Sequence, residues 1–300
     1  MKNSSVLIII SAVFFGTYGI WSKLMGGIFG EFNQAWIRAV MILAILLPLG
    51  FIFKSYKKIR NEDIKWFTII SLAGGLNQAP YYFGFQHLSV GTATLLFYLA
   101  LTLGAFVVGK FFFNEKITKI KQISLFLSVI GLAVIYKLTL MPDQVIPAIS
   151  TLLAGILGAI YIVFSKKIST KYSEIQILTV VFVTMLVTNL PISVARNEIV
   201  PMFSETVAWF GQLGYVAAMV LANAAVVAGF RKIEPSIGGL LGLLEVVFAA
   251  IFGAFLFREA VTIPLLVGST LILLSASLPD LMKQAENLIR KKVIHSAETL

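Results

Sequence analysis

The stretch GGLLGLLEVVFAAIFGAFLF, residues 238–257, contains one ionisable side chain, Glu245, near its middle. A lone carboxylate in so apolar a run has few kinds of chemistry open to it. It can bind the cationic or amine group of a solute, carry a proton during a cycle, or peg neighbouring helices together by hydrogen bonds. Gly238, Gly242, Glu245, Ala249 and Gly253 recur at helical spacing and share one face. Small residues on that face allow close approach of another helix, which turns Glu245 into protein and away from lipid. The solute-binding and the structural reading both stand on these residues.

The other polar side chains inside apolar runs are few. Lys23 and Arg38 lie several residues inside theirs. Either could hold the carboxylate of a solute, or pair with Glu31 or a backbone carbonyl; Lys23 can also snorkel to the interface. The segment GGLNQAPYYFGF places Asn77, Gln78, Tyr81 and Tyr82 around Pro80, whose missing N–H leaves a carbonyl unbonded. Asn223 sits in VLANAAVVAGF. These side chains suit either a polar cavity wall or interhelical hydrogen bonds. Trp21, Tyr98 and Tyr161 are aromatic candidates for an apolar pocket, with interface belt or packing as the alternative. Glu115 and Glu259 flank helix ends beside basic residues, and His87 falls in a short loop. There is no Cys and only two His, so thiolate and clustered-imidazole metal sites are excluded. No catalytic constellation and no phosphate-binding GxxxxGK[ST] loop occurs.

Composition sets the medium in which these residues work. The 300 residues are 58% hydrophobic and 13% charged, about half the charged fraction of ordinary soluble domains. That is too few polar side chains to cover a water-facing surface. Ten apolar runs approach the roughly 20 residues needed to cross a bilayer core: 4–25, 33–53, 64–86, 89–112, 121–140, 147–165, 174–195, 207–230, 236–257 and 261–279. The predicted fold class is all-α integral membrane with ten transmembrane helices. Lys2 followed by VLIIISAVFF has the start of a signal peptide, but no small-residue cleavage site follows and the run continues through Trp21, so it reads as a first span.

With the N-terminus placed in the cytoplasm, only Lys23, Arg38, Lys137, Arg196 and Arg258 of the 24 basic residues fall off cytoplasmic segments. An even number of spans then leaves both termini cytoplasmic. The net charge of +10 is accordingly a topology signal rather than a nucleic-acid footprint. The tail, 280–300, sets Leu281, Ala285, Leu288 and Ile289 beside Arg290, Lys291 and Lys292. It is expected to lie as a basic amphipathic segment on anionic headgroups.

The chain also repeats itself. Gly84-Phe85 matches Gly229-Phe230, Pro48 matches Pro191, and FFFNEKIT (111–118) matches FLFREAVT (255–262), at separations of 145, 143 and 144 residues. The repeats are residues 1–140 and 147–279, five runs each. Five is odd, so the second copy must enter the membrane from the opposite side. Such inverted-topology repeats are a recurring plan of secondary transporters with alternating access.

FRKIEPSIGGLLGLLEVVFAAIFGAFLFREAVT (230–262) closely resembles the ninth-helix signature of the EamA-type drug/metabolite transporter superfamily. FFGTYGIWSKLMGG through NQAWIRAVMILAILLP resembles its first two helices, and HLSVGTATLLFYLALTLGAFVVGKFFFNEKIT its fourth. Val246 stands where a proline commonly follows the ninth-helix Glu, and no proline follows Phe97–Tyr98, so a proline hinge is missing from both places. The resemblance implies a central cavity between two inverted five-helix repeats. It also implies transport of small metabolites, often amino acids, usually outward. The expected protein is a multi-pass plasma- or inner-membrane transporter. Its partners are a small-molecule substrate and the bilayer, as a monomer or weak homodimer, without nucleic acid. No cofactor is expected beyond proton coupling. A cationic drug or amine exporter is the alternative. A channel or lipid-modifying enzyme is disfavoured, because Glu245 stands alone and no ring of like charges is visible.

Overall fold

The structure is a computed structural model that describes residues 2–88, 90–136, 141–258 and 260–298. Among these, the regular elements are helices: α1 (Lys2–Gly16), α2 (Tyr18–Met25), α3 (Asn33–Ile52), α4 (Asn61–Leu76), α5 (Gln78–His87), α6 (Val90–Phe112) and α7 (Lys119–Ile135). After a 3₁₀ turn at Pro142–Gln144 come α8 (Val145–Ser165), α9 (Glu174–Ala195), α10 (Thr206–Phe230), α11 (Pro235–Gly242), α12 (Leu244–Phe257) and α13 (Ile263–Glu298). Seven helical stretches are long and apolar enough to cross a membrane, counting α1–α2 and α11–α12 as one each. The other three runs fall short for visible reasons. The stretch from α4 to α5 breaks at Asn77, α7 has 17 residues, and the apolar part of α13 ends at Pro279. The tail expected as a separate segment continues the helix of α13. Its side chains beyond Met282, like Lys137 and Glu259, lie outside the described residues.

The helix ends carry the sequence repeat into the backbone. Four described non-glycine residues have positive φ: Lys54, Asn114, Asn197 and Arg258. Lys54 and Asn197 stand at equivalent positions of the two halves, as do Asn114 and Arg258. A left-handed residue ends a helix by folding later N–H groups back onto its last carbonyls. Phe53 N–H donates to Leu49 O and Ser55 N–H to Gly50 O, while Arg196 N–H donates to Ile192 O and Glu198 N–H to Ser193 O. Thr118 accepts from Lys121 N–H at the start of α7, and Thr262 accepts from Leu265 N–H at the start of α13.

Helix pairing follows the same scheme. α1 and α2 pack on α10, and α4 and α5 pack on α8; α12 packs on α1, and α6 on α8; α3 meets α9, and α7 meets α13. Glycines permit the close crossings. A Cβ at Gly229 would lie 3.1 Å from Ser4 O of α1, and one at Gly84 would collide with Thr151 of α8. One at Gly16 would lie 2.9 Å from Phe248 Cβ and 3.1 Å from Ala249 N. Gly242 has open space instead, so the small-residue face of 238–253 is not the continuous close seam its spacing suggested.

Polar ties fasten both ends of the bundle. At the basic end, Lys171 Nζ lies 2.8 Å from Asp63 Oδ1, Tyr172 donates to Asp63 Oδ2 at 2.9 Å, and Arg231 pairs with Glu174. Buried Glu115 accepts from Lys121 Nζ at 2.7 Å and from Ser236 at the start of α11. Its main partners are therefore Lys121 and a helix N-terminus, rather than Lys116 and Lys119. At the other end, the Glu198 carboxylate accepts from Asn33 N–H at 2.6 Å and Phe32 N–H at 3.1 Å, capping α3.

Candidate functional site

Three helices break at mid-depth, and the breaks converge. α1 gives way to α2 at Thr17, whose hydroxyl donates to Phe14 O at 2.6 Å and whose neighbours bond one residue short of the helical pattern. α4 gives way to α5 at Asn77, and Pro80 has no N–H to donate to Leu76 O. α11 gives way to α12 at Leu243, where Leu243 N–H bonds Leu240 O and Val246 N–H bonds Leu243 O. The ninth run thus breaks without a proline.

Between the breaks lies a cavity of about 80 Å³. Among the described residues Glu245 is its one charged lining residue, with Tyr18, Tyr81, Tyr98, Tyr161 and Tyr215 as its phenols. Asn77, Gln78 and Asn223 supply amides, and Phe15, Phe97 and Phe182 are among the apolar walls. Glu245 falls in the first turn of α12. The break therefore sets the start of a helix, the positive end of its dipole, beside the carboxylate. The Tyr98 hydroxyl hydrogen-bonds the same carboxylate. Tyr161 donates to Asn223 Oδ1 at 2.8 Å, and Asn223 donates to Met219 O at 2.8 Å. Gln78 Nε2 donates to Asn77 Oδ1 at 3.1 Å. The Tyr81 and Phe97 rings stack at 4.0 Å between centroids, and Tyr18 and Tyr215 meet at 4.1 Å.

Of the residues singled out from sequence, Glu245, Asn77, Gln78, Tyr81, Tyr98, Asn223 and Tyr161 line this cavity. Lys23, Arg38, Trp21 and Tyr82 do not. Lys23 is exposed, 4.2 Å over the ring of Phe257. Trp21 donates to the Thr17 hydroxyl at 3.0 Å and packs over Gly214 of α10. Tyr82 is half-buried on α5, outside the cavity. Arg38, 1% exposed, lies behind the wall with its guanidinium 3.6 Å over the Tyr215 ring. It donates to Gln34 Oε1 at 2.8 Å and to Gln212 Oε1 at 3.3 Å, and its Nε has no partner. Of the partners open to Arg38, these amides take the place of Glu31, which pairs with Arg196 at 3.2 Å. Tyr18, Phe15 and Tyr215 were not legible as lining residues. Tyr18 follows the break at Thr17, a signal that the GTYG sequence held, whereas nothing local marks Tyr215 within α10.

A carboxylate flanked by phenol rings offers a counter-charge together with π faces, and burial strengthens both. The Arg38 guanidinium stacks on the Tyr215 ring and is not itself among the lining residues. The volume would hold about five waters, less than a metabolite needs.

Comparison with known proteins bears on what this cavity serves. The model of the EamA-like transporter family matches twice, at residues 3–137 and 145–278. An uncharacterized transporter of Clostridium kluyveri is 26% identical over 184 residues, 56% of this chain and 57% of that protein, so the match spans a little over half of the relative. A protein of known crystal structure superposes with a TM-score of 0.78 over 95% of this chain and 99% of its own, at 14% identity, which speaks to the fold alone.

Proposed function

The chain belongs to the EamA-like transporter family, and from that premise we propose that it is a secondary-active membrane transporter of a small amine-bearing solute, amino acids included. It works by alternating access around the Glu245 cavity. The carrying observation is the meeting of three helix breaks at a cavity whose only charged wall residue, among the described residues, is Glu245. Helix breaks at mid-depth are where a bundle can bend, and free backbone groups there are tolerated because they face a cavity.

In this reading ten helices span the plasma or inner membrane as two inverted five-helix repeats, residues 1–140 and 147–279, with both termini cytoplasmic. The paired left-handed turns, the paired threonine caps and the pairing that exchanges halves support the repeat. The basic-residue asymmetry supports the orientation. The solute's ammonium sits between Glu245 and the Tyr98 ring, with Gln78, Asn77, Asn223 and Tyr81 contacting its polar remainder. Movement is outward, as the family resemblance implies, and a proton exchanged at Glu245 couples it.

A second reading, export of cationic amines or drugs, is favoured by the position of Arg38. A zwitterion's carboxylate needs an anion site, and the buried arginine stands behind Tyr215 rather than in the cavity.

The test is uptake into proteoliposomes of a panel of amino acids, amines and cationic dyes, with and without a pH gradient. A solute that moves with the wild type and not with Glu245→Gln supports the reading. Normal transport by Glu245→Gln, or no movement of any solute under either condition, sinks it.

A further inference from the structure

A second hollow lies on the outside of the bundle, between α4 and α9, with a volume of about 470 Å³. Its walls are Ile59, Ile64, Phe67, Leu72 and Val180, with Thr68, Ser71 and Thr184 between them. The three hydroxyls are already used. Thr68 donates to Ile64 O at 3.0 Å, Ser71 to Thr68 O at 3.2 Å and Thr184 to Val180 O at 3.0 Å. The crevice therefore presents hydrocarbon to its occupant, over about 12 Å of α4 between Ile64 and Leu72.

Its mouth is the loop KSYKKIR, 54–60, whose Ile59 forms the upper wall. The loop backbone is held at several points. Lys57 N–H donates to Gln176 Oε1 at 3.0 Å while Gln176 Nε2 donates to Lys57 O at 2.6 Å. Ser173 donates to Ser55 O at 3.0 Å and Arg60 N–H to the Tyr172 hydroxyl at 3.0 Å. Arg60 is neutralised by Glu62 at 3.3 Å. Lys54, Lys57 and Lys58 are exposed and take part in no ion pair among the described residues. Three exposed cations without ion pairs among the described residues thus stand on a tethered backbone next to Ile59 of the slot, and in the ten-span reading this loop lies at headgroup level.

We infer that this crevice is a binding site for an anionic glycerophospholipid, one acyl chain lying between α4 and α9 and the phosphate held among Lys54, Lys57 and Lys58. A soluble anion would find no free donor inside the slot, since its three hydroxyls already donate within their helices, and a peptide would find few groups to pair its backbone. A lipid satisfies both halves. Each basic residue near a surface contributes attraction to negative headgroups, and a fixed backbone spares the entropy of gathering them.

The test uses the full chain in phosphatidylcholine vesicles doped with phosphatidylglycerol that carries a diazirine on an acyl chain. After irradiation, adducts are mapped by peptide mass spectrometry. They are expected on residues 64–72 and 180–184 in preference to Leu213 and Leu221 of α10, which are 54% and 49% exposed against 49% and 44% for Ile64 and Leu72. Leu72→Trp, or Thr68→Phe should the first not fold, fills the slot and depletes these adducts severalfold. Lys57→Gln with Lys58→Gln cuts labelling by the anionic probe by roughly tenfold and leaves labelling by a phosphatidylcholine probe with the same chain unchanged. Uniform labelling of the lipid-facing helices, or adducts that survive Leu72→Trp and Thr68→Phe, means ordinary annular lipid and overturns the site. Equal loss with both probes overturns the anionic assignment. Labelling requires no transport, so this result stands apart from the transport test.

Discussion

At Glu245 and Arg38, two ionisable side chains inside apolar runs are handled by opposite means. Glu245 faces the cavity, with the Tyr98 hydroxyl and a helix start for company. Arg38 faces away from it and is spread over an aromatic ring and two amides. This arrangement depends on a planar, delocalised cation. Lysine at 38 would keep the charge and lose the stack and the forked donors, at a cost of about 2 kcal/mol. Methionine would remove the charge and its burial cost together. The expected order of melting temperature in detergent is therefore wild type, then Arg38→Met, then Arg38→Lys; a lysine variant as stable as wild type would contradict it. Tyr161→Phe leaves Asn223 Oδ1 without its donor. Hydrogen bonds between membrane helices average well under the desolvation cost of an orphaned group. Asn223 lines the cavity, where a water can take the place of the lost donor, so a loss near 1 kcal/mol in unfolding free energy is expected rather than several.

At the scale of elements, two glycines, Gly16 ending α1 and Gly242 ending α11, make a controlled pair of sites. Gly16 on α1 touches the backbone of α12, so Gly16→Leu must push the two helices apart, and overpacking of this kind costs about 1–3 kcal/mol. It should lower both thermal stability and transport. Gly242, one residue before the break at Leu243, has room for a methyl group, and alanine favours helix by about 1 kcal/mol. Gly242→Ala is expected to hold or raise stability while slowing transport, because it stiffens the joint between α11 and α12. Unchanged transport rates in a stable Gly242→Ala would mean that this joint does not bend during the cycle.

Taken as a whole molecule, the bundle is tied at its basic end by ion pairs that join the two halves. Hydrogen bonds from Lys171 first, and then from Tyr172, hold the Asp63 carboxyl below the ordinary carboxylate range, and the same pairing raises Lys171. A depressed carboxylate contributes stability above its unfolded value near 4 and loses it as pH falls through the lower folded value. The raised lysine contributes below its unfolded value of about 10.4 and loses that contribution as pH rises through the higher folded one. The tie is thus constant from about pH 5 to pH 10. Asp63→Asn should lower the melting temperature throughout that window, with the difference from wild type vanishing in strong acid. A difference that grew as pH fell towards 3 would have the wrong sign. Glu31, at the opposite end, is raised by burial against the pull of Arg196. Its charge opposes folding near neutrality, so Glu31→Gln should be far milder than Asp63→Asn in the same melts.

The sequence by itself determined the medium, the family and the internal repetition. Apolar run length, the scarcity of charge and matched segments 143–145 residues apart are properties of neighbours along the chain. It also named Glu245, Asn77, Gln78, Tyr81, Tyr98, Tyr161 and Asn223, because a polar or aromatic residue inside a hydrophobic run is conspicuous without any fold. Only the tertiary structure decided which of the conspicuous residues share a cavity. Arg38 and Glu245 look alike in sequence, yet one is behind the wall and the other is part of it. The difference lies in the rotation of α3 and α12 about their axes, which is set by packing against other helices. Tyr18 and Tyr215 come from opposite halves and become a single wall by the pairing of α2 with α10. The break in the ninth run likewise has no proline to announce it, since it arises where α11 and α12 meet different neighbours.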